Sequence, residues 1–273
     1  MPMIQVELSG GASSVDCLVV GAGPGLVLVH GTGADALGTW GALIDSLSRR
    51  FTVVAPTLSG SGATTDAGGP LSIDDLVAQV VAAADAARLD SYHLAGHSLG
   101  AVVAAATAAR ERGRVRSLFL HAGWAATDPW QAFQFETWQR LLRVDKSLLS
   151  RVLQLTAMGP GSLSARSAAD FDVAVAGFDG LFDASGMARQ CALNARVDIT
   201  ADLERISAPT LVVAGSHDLI VPRHHQRQLA QAIPSAAYLE LAGGHALPFE
   251  EPALFRETLE NFLDDVSAPV GSR

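Results

Sequence analysis

The feature that most narrows the fold is a set of short, unbroken apolar runs: LVLV at 26–29, VVA at 53–55, LFL at 118–120 and LVVA at 211–214. A strand with one wet face alternates apolar and polar residues. A strand covered on both faces does not, and cover on both faces belongs to parallel sheets wrapped in helices. Strand-like runs span Ile4–Leu8, Val15–Val20, Leu26–His30, Phe51–Pro56, Tyr92–Gly96, Val115–His121, Thr210–Gly215 and Ala237–Leu241. Helical stretches fall between them. Ser72-Ile73-Asp74-Asp75 is an N-terminal capping signature ahead of an apolar run. Residues 99–112 form a small-residue stretch stopped by Gly113, Arg223–Ala232 ends before Pro234, and Pro252–Val266 opens on proline. Strand and helix in alternation predict an α/β fold with a mainly parallel sheet. The first two strands lie too close for a crossover helix, so an antiparallel hairpin is expected at one edge.

The alternation breaks once. From Trp124 to about Asp198 no strand is evident, only helical pieces at 130–142 and 145–158 and a Gly/Ser-rich stretch at 159–167. The segment holds eight of the sixteen aromatic residues, including Trp124, Trp130, Phe133 and Trp138. Because the alternation resumes afterwards, the expected organisation is one core, residues 1–123 and 199–273, with a helical insertion at 124–198.

Composition excludes several classes of function. A net charge of −9 and no basic footprint argue against nucleic-acid binding. No run reaches the roughly 18 apolar residues of a membrane span. The opening MPMIQVELSG lacks the basic and apolar regions of a signal peptide, so a cytoplasmic location is expected. Cys17 and Cys191 lack metal-ligand spacing and are expected to be reduced, buried thiols. Val19–Gly25 has the glycines of a dinucleotide-binding turn, but a strand follows it rather than a helix, which leaves no helix N-terminus for a pyrophosphate. It is read as a hairpin turn.

Gly96-His97-Ser98-Leu99-Gly100 fits G-x-S-x-G. In a chain this rich in glycine and serine the string alone is weak. Its setting, at the end of one strand and the start of a helix, is that of a nucleophile elbow. The competing reading is an ordinary N-cap serine. A serine hydroxyl needs a neighbouring base. Three of the eight histidines close a strand: His30, His121 and His245. His30 opens a glycine turn and His121 precedes the insertion, which leaves His245. His97 is expected to point away from the hydroxyl, and His224 and His225 to be solvated on a helix. Asp218 closes the preceding strand and would orient His245, against the alternative of a surface-turn aspartate. His30-Gly31-Thr32-Gly33 follows another strand. The N–H groups of Thr32 and Leu99 are the candidate oxyanion donors.

Together these elements resemble the α/β-hydrolase superfamily, in its subgroup of small esterases, lactonases and carbon–carbon bond hydrolases. The resemblance runs from about Val15 to Leu263. It extends to Trp40, to Ala55-Pro56 and to Gly244-His245 followed by Phe249-Glu250-Glu251-Pro252. It implies that Ser98, Asp218 and His245 form a catalytic triad and that 124–198 caps the site. It departs at Thr57–Thr64, which keeps glycines but lacks the family's usual acidic and basic residues. A serine nucleophile argues against dehalogenase and epoxide-hydrolase chemistry.

The expected activity is hydrolysis of a carboxylic ester or lactone of a small hydrophobic or aromatic substrate through an acyl-enzyme, with no cofactor and no metal. The alternatives are carbon–carbon hydrolysis, thioester release or cyclisation in a biosynthetic pathway, or ligand sensing without turnover. Gly31, Gly33, His97, Trp124, Trp130, Phe133 and Trp138 are the candidate pocket residues. A small molecule is the expected partner, with neither nucleic acid nor membrane, as a monomer or homodimer.

Overall fold

The computed structural model describes residues 2–180 and 182–267, apart from the side chain of residue 179. Eight strands form one sheet: β1 (Met3–Leu8), β2 (Gly11–Val20), β3 (Gly25–Val29), β4 (Thr52–Pro56), β5 (Tyr92–His97), β6 (Val115–His121), β7 (Thr210–Gly215) and β8 (Ala236–Leu241). Their order is β1-β2-β4-β3-β5-β6-β7-β8. β1 and β2 form the expected edge hairpin, β2 is antiparallel to β4, and every later pairing is parallel.

The continuous apolar runs have a direct cause. Val27 and Val29 face one core while Leu26 and Leu28 face another, and Leu118 and Leu120 oppose Phe119 in the same way. One face of the sheet is covered by α1 (Ala36–Leu47) and α12 (Pro252–Ser267). The other is covered by α2 (Ile73–Ala86), α3 (Leu99–Arg110) and α10 (Arg223–Ala232). Ser72 caps α2 by accepting from the Asp75 N–H, as its sequence signature requires. α3 is buried on every side from Leu99 to Ala109, which its run of alanines permits.

Residues 21–24 are not a hairpin turn, because β2 pairs with β4 and not with β3. β4 lies between the two strands, so the link crosses its end. The glycines mark a short crossing, and local sequence cannot tell that from a turn.

Between β6 and β7 the chain forms α4 (Pro129–Val144), α5 (Lys146–Ala157), α6 (Pro160–Ser164), α7 (Ala168–Asp179), α8 (Ala184–Asn194) and α9 (Thr200–Leu203). The ends of this segment meet: Ala126 bridges Asp198, the Thr127 N–H donates to the Val197 carbonyl and the Ile199 N–H to that of Ala125. A short α11 (Leu247–Glu250) precedes α12. Cys17 and Cys191 are free and buried, and burial pushes both thiols up to about 12. Among the described residues no helix is long and apolar enough to cross a membrane.

Candidate functional site

Ser98 sits between β5 and α3 with φ +56° and ψ −122°, a conformation that L-residues hold only under strain. Two glycines make that turn possible. A Cβ at Gly96 would stand 2.2 Å from the Gly100 carbonyl oxygen, and one at Gly100 would stand 2.2 Å from that of Val29. The Ser98 N–H donates to the His121 carbonyl at 2.9 Å, which fixes the turn against the next strand. Ser98 makes no side-chain cap bond to α3, so its hydroxyl is not spent on the helix. The ordinary N-cap reading is thereby set aside.

A cavity of about 380 Å³ opens above this turn. Ser98 and His245 both line it, as do Gly31, Thr32, Gly33, His97 and Trp138. His245 follows β8, and its Nδ1 lies 2.9 Å from Asp218 Oδ2. Asp218 is buried in the loop after β7 and accepts four hydrogen bonds: Oδ1 from the N–H groups of Ile220 and Val221, Oδ2 from Gln226 Nε2 and His245 Nδ1. A carboxylate, which can only accept, holds the imidazole as the tautomer whose Nδ1–H donates to it, which leaves Nε2 with its lone pair. Such an imidazole can accept a proton from a hydroxyl in the cavity.

The glycine turn packs directly on the serine: a Cβ at Gly31 would stand 3.1 Å from Ser98 Cβ. His30 braces the turn from beneath. Its Nδ1 bonds to the Gly31 carbonyl and its Nε2 accepts the Leu58 N–H, while burial pushes its pKa down to about 4. Leu99 is the first residue of α3, so its N–H is one of the four that no helical carbonyl takes. His97 turns its Nδ1 to His121 Nδ1 at 2.9 Å, and its ring stands 5.0 Å from that of His245. Burial above all, then the charges of His245 and His121, holds His97 well below the usual histidine range.

Three aromatic residues named from sequence lie elsewhere. Trp124 is fully buried, stacked on Phe135 with its indole N–H on Thr127 Oγ1, and does not line the cavity. Trp130 and Phe133 are 53% and 70% exposed. α4 turns Gln131, Phe135, Trp138 and Leu142 inward, at helical spacing, which puts 133 on its opposite face and 130 on its flank. His225 is also corrected. It is buried against Asp128 rather than solvated.

Two supports escaped the sequence reading. Gln190 of α8 accepts the Gly33 N–H and donates to Ser59 and Ser61, while Asn194 Nδ2 donates to Thr32 Oγ1 at 2.7 Å. α8 thus holds the glycine turn through two amides one helical turn apart, and that spacing was the available signal. The Thr57–Thr64 loop, without the acidic and basic residues of the family pattern, meets α8 by this route. Glu250 accepts the N–H groups of Gly244 and Gly159 and the hydroxyl of Ser162. It ties the histidine loop to the α5–α6 junction.

The comparisons with known proteins agree with this architecture. A family model described as alpha/beta hydrolase fold matches residues 24–252. The chain is 40% identical over 260 residues to pyrrolizixenacetamide deacetylase of Xenorhabdus hominickii, covering 95% of this chain and 98% of that one. A hydrolase from Pseudomonas aeruginosa PA01 superposes with a TM-score of 0.82 at 27% identity, covering 96% and 98%. The enol-lactonase of Burkholderia xenovorans LB400 shares the fold, with a TM-score of 0.83 at 24% identity over 95% and 99%. Sequence, sheet order and relatives converge, and the chain belongs to the alpha/beta hydrolase fold family of hydrolases.

Proposed function

We propose that the protein is a serine hydrolase that cleaves a carboxylic ester or amide of a small, largely apolar molecule, and that the helices of residues 124–198 cap its site. The observation that carries this reading is one cavity lined by the strained Ser98 and by His245, whose Nδ1 is held by Asp218. Ser98 Oγ attacks the acyl carbon while His245 Nε2 takes its proton. The N–H groups of Thr32 and Leu99 hold the oxyanion. His245 then returns the proton to the departing oxygen or nitrogen as the bond to the acyl carbon breaks. Water, deprotonated by the same histidine, releases the acid and frees Ser98. Trp138, Met158, Phe178 and Met187 make much of the cavity lining apolar, which supports a largely apolar substrate body, with Asp35 and Arg166 as charged side chains on the same lining. The relative named as a deacetylase of an acetamide supports a small acyl group on nitrogen.

The test pairs a serine-directed fluorophosphonate with turnover of p-nitrophenyl acetate and acetanilide. Labelling at Ser98 and loss of both turnovers in Ser98→Ala are expected. An unlabelled Ser98, or a Ser98→Ala variant with unchanged turnover, would overturn the assignment.

A further inference from the structure

Outside the cavity, three side chains of metal-ligating type converge where the helical segment meets the core. Asp128 is the N-cap of α4, and His224 and His225 lie in the first turn of α10. One ligand atom from each comes within 4.8 Å of the others. His225 is 4% exposed, and its buried Nε2 stands 3.1 Å from Asp128 Oδ2 without the alignment of a hydrogen bond. That nitrogen has no hydrogen-bond partner among the described residues. A buried nitrogen facing a carboxylate oxygen in this way needs a proton or a cation between them.

We propose that Asp128, His224 and His225 bind a divalent transition-metal ion of the zinc class. Two imidazoles and one carboxylate suit Zn²⁺, with bonds of about 2.0–2.2 Å and a water in the fourth position. Tetrahedral bonds of that length set neighbouring donors about 3.3 Å apart, close to the 3.1 Å between His225 and Asp128. The third ligand must move inward, and His224 is exposed and, among the described residues, in ring contact with Trp130 and His225. The remaining Asp128 oxygen accepts the Gln131 N–H at 2.8 Å, which fixes the carboxylate toward the histidines. The ion would join the first helix of the roof to a helix of the core and takes no part in the chemistry at Ser98.

The test is titration of the tag-free, chelator-treated protein with ZnCl₂ by calorimetry, and with Co²⁺ by visible absorption. One equivalent with a micromolar or tighter Kd is expected, with the intense visible bands of tetrahedral Co²⁺. His224→Ala and Asp128→Asn should each weaken binding at least about tenfold. Asparagine is as good an N-cap as aspartate, so Asp128→Asn keeps α4 intact. Zn²⁺ should also raise the thermal midpoint of the parent chain, but not that of His224→Ala. Binding no tighter than millimolar, or full affinity in His224→Ala, would overturn the site. Neither outcome touches the assignment of Ser98, which is read by labelling.

Discussion

Buried neutral histidines should make this protein lose stability in mild acid, well above the range where carboxylates matter. His30 is fully buried, and desolvation pushes its pKa down to about 4 despite its bond to the Gly31 carbonyl and the charge of Asp35. His93, in β5 with its Nδ1 on Ser117 Oγ of β6, is pushed to about 4 by burial and then by Arg116. The unfolded chain binds a proton at each near pH 6.5, whereas the folded chain refuses it until about pH 4. Their contribution is therefore complete above pH 6.5 and lost as pH falls toward 4. From pH 7 to pH 5 each histidine costs about 2 kcal/mol by linkage, about 4 together, against a total stability of about 5–15 kcal/mol. Asp66 and Asp75, whose pKa values lie below the ordinary 3.8, act in the same direction but only at lower pH. Urea denaturation at pH 7.0, 6.0, 5.5 and 5.0 reads the effect as a falling midpoint at constant slope. In His30→Asn, whose amide N–H can still meet the Gly31 carbonyl, the pH dependence near pH 5.3 should flatten by about 1.2 kcal/mol per pH unit. Stability independent of pH between 5 and 7, or an unchanged dependence in His30→Asn, would refute the reasoning.

Three further outcomes follow from the site. Asp218→Asn should lower kcat by about 10³–10⁴-fold with KM little changed, because the imidazole loses the partner that fixes its tautomer; steady-state kinetics checks this. Asn194→Ala removes the donor on Thr32 and should cost about 1 kcal/mol, about fivefold in kcat, while thermal unfolding stays cooperative. Among the aromatics, Trp138→Ala should change the ranking of ester substrates by acyl size, and Phe133→Ser should leave that ranking as it was.

What the sequence disclosed depended on how local the physical cause was. Strand runs and helix caps act over a few residues, so β3, β5, β6, β7 and the start of α2 could be read directly. The positions of Ser98, Asp218 and His245 at strand ends followed from the same alternation, because parallel strands bring their carboxyl ends to one edge. Strand order is non-local. Nothing in residues 19–25 records that β4 lies between β2 and β3, and the glycines there fitted a turn equally well. The roof was legible only as helical. Counting its aromatics could not say which faced inward, whereas the inward spacing of Gln131, Phe135, Trp138 and Leu142 would have set Trp130 and Phe133 outside. Gln190, Asn194 and Glu250 act across more than 80 residues, or between loops, and although the first two lie one turn apart on α8, no short-range pattern names their partners.

Among the ties that hold the helical segment between β6 and β7 to the core are the α8 amides on the glycine turn and Glu250 between Gly159 and the histidine loop. Between them, α7 presents mostly exposed residues and, among the described residues, makes no hydrogen bond to Ser98, Asp218 or His245. This divides the molecule for anyone wishing to redirect it. Substitutions in α8 or at Glu250 disturb the glycine turn or the histidine loop that carry the candidate site. Substitutions along α7 reshape the space a substrate must fill and leave the reacting atoms alone. A lineage could try many substrates by rewriting one helix.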